Sequence, residues 1–154
     1  MRINREFPFL ETLLLSASLT LVSLAGLTTH RWLWGQAELL SYRSAVQQVA
    51  GTVRQMRVRA VNARQSFVMH IDTAARRLQL MAIDTAPGLR ESLEQTIWLP
   101  PGLVIAEAPE QLLVSPAGAM APASLLFEAA AFQRLFRVRM SSSGVVQLYE
   151  EPST

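Results

Sequence analysis

Hydrophobic and polar positions follow three successive patterns along the chain. Residues 7–29 are apolar or small throughout except for one acid, Glu11. Residues 35–65 lack proline and repeat their apolar side chains at steps of three and four, which is the period of one helix face. From residue 66 onward, short apolar runs are separated by clusters of Gly, Pro and Ser, which is typical of strands and turns. The order predicts a long N-terminal helix followed by a small β domain.

The first pattern has the length of a single membrane-spanning helix. A hydrocarbon core of roughly 30 Å needs about 20 apolar residues in helical conformation. Backbone polar groups within lipid have to be paired inside the segment, so helix is the expected state of residues 7–29. Arg2 and Arg5 precede the segment, which favours a cytoplasmic N-terminus with the rest of the chain exported. We therefore expect a single-pass membrane protein.

The second pattern predicts that residues 30–65 continue the helix as an amphipathic segment. Its apolar stripe consists of Tyr42, Val46, Val49, Val53, Met56, Ala60 and Ala63. Such a stripe fits a helix that packs on a sheet of its own domain, and it also fits a coiled-coil seam. The strands that follow directly favour the sheet, but three heptads are too few to decide.

The third pattern predicts an antiparallel β domain over residues 66–149. The expected strands are residues 66–72, 77–84, 92–99, 103–106, 111–115, 124–129, 134–140 and 145–149. The first two should form a hairpin around residues 73–76, although Leu, Met and Ala make the second arm compatible with helix as well.

Residues 134–140 show the alternation of a half-buried strand. Three apolar side chains alternate there with Arg137 and Arg139, so one face should be buried and the other solvated. Residues 150–154 are expected to form a flexible tail. The predicted fold class is α+β, with a long N-terminal helix, membrane-spanning in its first half and amphipathic in its second, packed on a small antiparallel β domain.

Composition narrows the functional classes. The chain has no cysteine, which excludes disulfides, thiolate zinc sites and cysteine nucleophiles. Its 14 basic residues are all arginine, and the net charge of +2 is too small to indicate a polyanionic partner. Phosphate loops, nucleotide fingerprints and zinc-ligand spacings are absent from the sequence. We therefore predict a non-enzymatic protein with no cofactor and no metal.

Three sets of polar residues were candidates for chemistry. His70 and Asp72 are two residues apart and share a strand face, but a metal site there would need a third ligand. The other two sets are the serines Ser141, Ser142 and Ser143, and the carboxylate pairs Glu91 with Glu94 and Glu107 with Glu110. The serines flank a turn glycine and have no base, and the carboxylates fall in loops or at strand edges. We interpret all three sets as structural.

Arginines give the chain one candidate binding surface. Residues 43–77 contain seven arginines and a single acid, Asp72. Arg54, Arg57, Arg59 and Arg64 are the candidates for contact with nucleic acid or with an acidic partner. Binding of nucleic acid would be dominated by phosphate contacts. This stretch has few aromatic side chains on which the bases of single-stranded nucleic acid could stack. We therefore favour a solvated face, or a surface that complements acidic neighbours, over a DNA-binding surface.

The position of Glu11 is the most specific feature of the sequence. A carboxylate within a membrane helix costs about 2.5–3.5 kcal/mol at the centre and less towards the interface, so it normally has a partner. The order of a basic leader, Phe7, Pro8, two apolar residues, Glu11 and an apolar run resembles the N-terminus of type IV pilins and type II secretion pseudopilins.

This resemblance implies how the N-terminus would be processed. A prepilin peptidase would remove residues 1–6 and methylate the new amine of Phe7, and Glu11 would pair with that amine in a neighbouring subunit. Glu6 stands where the family has glycine, so we expect cleavage to be slow but real.

Later parts of the chain are similar to the GspH/FimT-like branch of pseudopilins. The similarity lies in the Arg- and Ala-rich run of residues 57–69 and in the layout of residues 114–118 and 145–148. It implies a minor pseudopilin of a type II secretion system, anchored in the inner membrane with a cytoplasmic N-terminus and a periplasmic domain, whose partners are other pseudopilins and the prepilin peptidase. A FimT-like minor pilin that acts in pilus priming or DNA uptake is the first alternative. A membrane-tethered interaction domain unrelated to pili is the second.

Overall fold

The computed structural model describes residues 8–83 and 91–153, without the side chains of residues 8–12 and 26–32. The predicted leader, Phe7 and the side chain of Glu11 therefore lie outside the described residues. The chain divides after Leu39 into two compact units.

Helix α1 spans Pro8–Ala63, and its part up to Leu39 lies in the first unit. The side chains of residues 13–25 are all exposed. Four hydroxyls in this part donate hydrogen bonds of 2.6–2.9 Å to carbonyls three or four residues earlier, namely those of Ser16, Ser18, Thr20 and Ser23. These polar residues are accommodated within the helix because their hydroxyls bond to its own backbone.

The predicted membrane segment, residues 7–29, begins outside the described residues and includes side chains that are not described. Within the part of the chain that the structure describes, we find no helix that is both long and apolar enough to cross a membrane.

The second part of α1 buries the predicted stripe inside the second unit. Six of its members are no more than 1% exposed, namely Tyr42, Val46, Val49, Val53, Met56 and Ala60. Residues of the same chain bury these side chains, so the stripe does not need a partner helix. Packing on the β domain, and not a coiled-coil seam, is therefore the correct alternative. The prediction for Ala63 was wrong. That residue is exposed because α1 ends there, where Arg64 takes a left-handed φ of 52° and the Gln65 N–H bonds to the Ala60 carbonyl.

Eight strands follow among the described residues, and they form two antiparallel sheets. The first sheet has the order β3-β2-β1-β5, with β1 Ser66–Asp72, β2 Arg77–Ile83, β3 Glu91–Trp98 and β5 Gln111–Val114. The second has the order β4-β6-β7-β8, with β4 Leu103–Glu107, β6 Ala123–Ala129, β7 Arg134–Met140 and β8 Val146–Pro152. The short helix Ala130–Phe132 joins β6 to β7. The structure confirms the predicted α+β class.

The expected hairpin is present as β1 and β2. The Asp72 carboxylate closes its turn by accepting hydrogen bonds from the Ala75 N–H at 2.8 Å and from Arg77 Nε at 3.2 Å. In β2, Leu78, Leu80 and Ala82 are buried and alternate with half-buried residues. A helix would not produce this period of two, so the ambiguous second arm is a strand.

The flexible tail predicted for residues 150–154 was wrong for its first part. Strand β8 continues to Pro152 along β7, and the Ser153 N–H bonds to the Gln133 carbonyl at 2.8 Å. The sequence of this stretch is polar and contains Pro152, and its pattern does not indicate a strand. Its strand conformation depends on backbone pairing with β7 and on the ion pair of Glu150.

Candidate interaction surface

Arginines of α1 contact β8 and the turn before it. Arg43 donates two hydrogen bonds to the Glu150 carboxylate, and Arg54 Nη2 donates one of 2.9 Å to the Val146 carbonyl. Farther along the helix, the Arg57 side chain lies against Gly144 in the β7–β8 turn. The contacts run in opposite order along helix and strand, so α1 and β8 are antiparallel.

Arg57 also fills space that two turn glycines leave open. Gly118 and Gly144 have φ values of 76° and 78°, which side chains rarely adopt. A Cβ on Gly144 would lie 2.5 Å from Arg57 Cδ, and one on Gly118 would lie 2.9 Å from Val61 Cγ2 and 3.3 Å from Arg57 Cγ. The glycines therefore allow the β5–β6 and β7–β8 connections to approach this face of the helix.

The four candidate arginines have different surroundings. Arg54 and Arg57 contact the β domain as described, although both residues retain exposed surface. Arg59 is exposed and projects about 200° around the helix from Arg57. Arg64 lies just beyond the end of α1, with a left-handed backbone. Binding of nucleic acid or of an acidic partner by these arginines remains a prediction. Substitution of Arg59 and Arg64 tests it best, because Arg54 and Arg57 also contact the β domain.

Hydrogen bonds shift the pKa values of two carboxylates. The hydrogen bonds from Arg43 lower the pKa of Glu150, and the same contact raises the pKa of Arg43. The Ala75 N–H lowers the pKa of Asp72, with a further contribution from Arg77. Both carboxylates are therefore stabilised in their charged form by groups that hold a turn or a strand in place.

The two polar residues that share a face of β1 have different partners in the structure. His70 Nε2 lies 3.7 Å from Glu91 Oε2, whereas Asp72 is engaged in its own turn. Groups of three or more His, Asp or Glu residues that could hold a metal ion are absent from the described residues. Glu91 is thus placed beside His70.

The serines predicted as turn residues do support a turn. Ser141 Oγ accepts a hydrogen bond from the Val145 N–H at 3.1 Å and lies 2.8 Å from Ser143 Oγ. This arrangement links the end of β7 to the start of β8.

The sequence did not indicate one surface, the groove on the outer face of the second sheet. Its lining side chains are Ser124, Arg137, Arg139, Tyr149 and Glu151. The alternation of Arg137 and Arg139 correctly indicated a solvated face of β7. Which residues of β6 and β8 accompany them depends on strand pairing, which the sequence pattern of one strand does not contain.

Comparison with solved structures finds the same fold in proteins of two filament systems. The minor pseudopilin EpsH from the type 2 secretion system of Vibrio cholerae is similar with a TM-score of 0.60 and 20% identity, covering 71% of this chain and 96% of that one. The type IV minor pilin FimU of Pseudomonas aeruginosa is similar with a TM-score of 0.58 and 15% identity, covering 75% and 92%. No family model matches this chain, and no curated protein sequence matches it.

At these identities the likeness concerns the fold. It comprises a long N-terminal helix and a small antiparallel β domain, as the resemblance in the sequence implied. The chain therefore has the pilin-like fold of minor pseudopilins and type IV minor pilins.

Proposed function

We propose that the protein is a minor pseudopilin of a type II secretion system, a structural subunit of the tip or initiating complex of the periplasmic pseudopilus that supports protein secretion. The observation that carries this proposal is the exposed apolar part of α1. Leu19, Leu21 and Val22 are each more than 70% exposed, and they project from different sides of the helix. A helix segment that exposes apolar side chains on several sides is normally covered by an assembly or by a membrane.

The N-terminal sequence suggests how such a subunit would be inserted and held. In this proposal the prepilin peptidase cleaves between Glu6 and Phe7, and the chain spans the inner membrane once with its N-terminus in the cytoplasm and its β domain in the periplasm. Glu11 pairs with the amine of Phe7 in a neighbouring subunit. The pair offsets the cost of placing a carboxylate in the membrane.

A minor pilin of a type IV pilus is the second candidate, and the likeness to FimU favours it. DNA uptake through Arg54, Arg57, Arg59 and Arg64 is part of this alternative. Arg59→Ala combined with Arg64→Ala is its cleanest test, because Arg54 and Arg57 also contact the β domain. Weaker retardation of duplex DNA at low salt would support uptake, and absence of retardation by the unaltered protein would remove it. A membrane-tethered interaction domain outside pili is the third candidate.

Co-purification tests the proposed function. The tagged full chain is extracted in detergent from cells that contain the secretion system, and pseudopilin subunits should be recovered with it. Recovery as a lone monomer, under conditions that keep other pseudopilin complexes intact, would contradict the proposal. Deletion of the gene then separates the first two candidates, because a pseudopilin is needed for secretion and a minor pilin for pili.

A further inference from the structure

The groove on the outer face of the second sheet combines two arginines with neutral hydrogen-bonding side chains. On the inner strand β7, Arg137 lies between Leu126 of β6 and Tyr149 of β8. Two residues farther along β7, Arg139 lies between Ser124 and Gln147. These positions point to the same face because they are two residues apart on each strand. The arginines, Ser124 and Tyr149 thus line one groove, with Glu151 at its other end.

The charge of Arg137 is incompletely compensated within the described chain. Its Nε is buried and has no hydrogen-bond partner. Among the described residues, neither Arg137 nor Arg139 takes part in an ion pair, in contrast to Arg43, Arg77 and Arg134. Arg137 is half-buried and Arg139 is exposed. A partly desolvated guanidinium gains more from an added anion than a fully hydrated one does. The planar guanidinium fork also favours a carboxylate, which it can bind through two parallel hydrogen bonds.

Two acids near the groove limit how large the anion can be. Glu128, Leu135 and Glu151 form the neighbouring row across the same three strands. This row lies roughly 7 Å from the row of Arg137, since two strand residues span that distance. A DNA duplex carries one charge for about every 1.7 Å of its axis and would approach both acids. An isolated carboxylate can contact the arginines without meeting them.

We propose that this groove is a binding site for a protein carboxylate, in which Arg137 and Arg139 bind an acidic side chain or a chain terminus of a partner protein. Ser124 and Tyr149 border the carboxylate, and Glu128 and Glu151 exclude dense polyanions. The site does not depend on the filament role proposed above, since it is formed by residues of the β domain alone.

Binding can be observed directly at the arginine side chains. The full chain in detergent micelles is labelled with ¹⁵N-arginine, and the Nε–H resonances are followed during titration with peptides. The first probe is an acetylated and amidated peptide with two central glutamates, and its matched control has glutamines instead. A peptide without acidic side chains but with a free C-terminal carboxylate distinguishes a terminus from a side chain. A short DNA duplex is the fourth probe.

We expect the glutamate peptide, the free-terminus peptide or both to shift the Arg137 and Arg139 resonances in a saturable way, while the glutamine peptide does not. Arg137→Gln should weaken this binding about tenfold or more, and Arg137→Lys, which keeps the charge without the fork, should weaken it less. Arg76→Gln removes an exposed arginine from the turn of the other sheet and should leave binding unchanged. Should Arg137→Gln fail to fold, Arg139→Gln and Arg137→Lys carry the test.

Three results would overturn the proposal. They are the absence of a shift with both carboxylate peptides, equal shifts with the glutamate and glutamine peptides, and tighter binding of the DNA duplex at the same resonances. Each can occur whether or not the protein co-purifies with pseudopilins, so failure here is distinct from failure of the proposed function.

Discussion

The guanidinium of Arg43 on α1 and the carboxylate of Glu150 on β8 form a two-point ion pair. Arg43 Nε lies 2.9 Å from Glu150 Oε2, and Nη2 lies 2.8 Å from Oε1. Arg134 adds a longer contact of 3.9 Å to Oε1. The pair joins residues that are 107 positions apart in the chain and holds β8 against the helix. Because the side chains are partly exposed, its contribution to stability should be modest.

Glu150→Gln is therefore expected to lower the Tm of the full chain in detergent by only a few degrees, measured by circular dichroism. The pH dependence gives a sharper readout. The folded pKa of Glu150 is depressed, so the pair stabilises the protein fully above the unfolded pKa of about 4.3. This stabilisation is lost as the pH falls through the folded pKa. The Tm difference between the protein and the variant should thus be present at neutral pH and vanish in acid.

Glu94→Gln provides the matched control for that measurement. Glu94 is exposed on β3, and the same substitution there should change neither the Tm nor its pH dependence. A Tm difference for Glu150→Gln that persisted unchanged in acid would show that the charge of Glu150 is not what holds the strand.

Gly144→Ala should destabilise the β domain by about 1–3 kcal/mol, because the new Cβ would require a left-handed φ and would meet Arg57. Urea unfolding measures the loss. Combined with Arg57→Ala, the substitution should cost less than the sum of the two single changes, since the steric part disappears and the backbone strain remains. Strict additivity of the two changes would mean that Arg57 does not occupy the space next to Gly144.

Gly51→Ala should have the opposite sign. Gly51 lies inside α1, and apart from the backbone of the helix itself the described atoms all stay at least 4 Å from a Cβ built there. Alanine should therefore stabilise the helix by about 0.5–1 kcal/mol through its lower backbone entropy in the unfolded chain. The same urea titration measures the gain. A loss of stability would show that this helix position is covered by a partner in the preparation.

Glu6→Gly should accelerate removal of the leader in cells with an active prepilin peptidase. The resemblance to prepilins places the cleavage after this residue, where the family has glycine. Intact-mass measurement of the membrane form should detect slow processing of the unaltered chain and faster processing of the variant. Chains of both forms that still begin at Met1 would refute cleavage at this position.

Glu11→Ala should leave cleavage intact and reduce incorporation into the filament. The variant keeps the site before Phe7 but loses the carboxylate that would pair with the amine of a neighbouring subunit. Cross-linking to other subunits in the membrane fraction measures incorporation, with Thr12→Ala as a control at the adjacent position. Normal assembly of Glu11→Ala would refute the pairing.

Local periodicity was sufficient to predict the elements of this fold. The steps of three and four from Tyr42 to Ala60 identified the buried face of α1, because a helix places such residues on one side whatever surrounds it. Alternation identified the strands, whose boundaries differ from the predictions by at most three residues. The clusters of Gly, Pro and Ser marked the turns that contain Gly118 and Gly144, whose positive φ favours glycine.

Only the tertiary structure decided how these elements pair, where they end and what they pack against. Three features depend on contacts between distant residues. They are the division of the strands into two sheets, the extension of β8 past Glu150, and the end of α1 at Ala63, which leaves that residue exposed. The arginines show the reason most clearly. In the sequence Arg54, Arg57, Arg59 and Arg64 are equivalent basic residues, and Arg137 is one more. In the structure Arg54 bonds to a carbonyl, Arg57 lies beside two glycines, Arg59 and Arg64 are exposed, and Arg137 lines a groove with its Nε unpaired. These differences are set by which strands pair and which connections reach the helix. A pattern within one element carries no information about its neighbours in space.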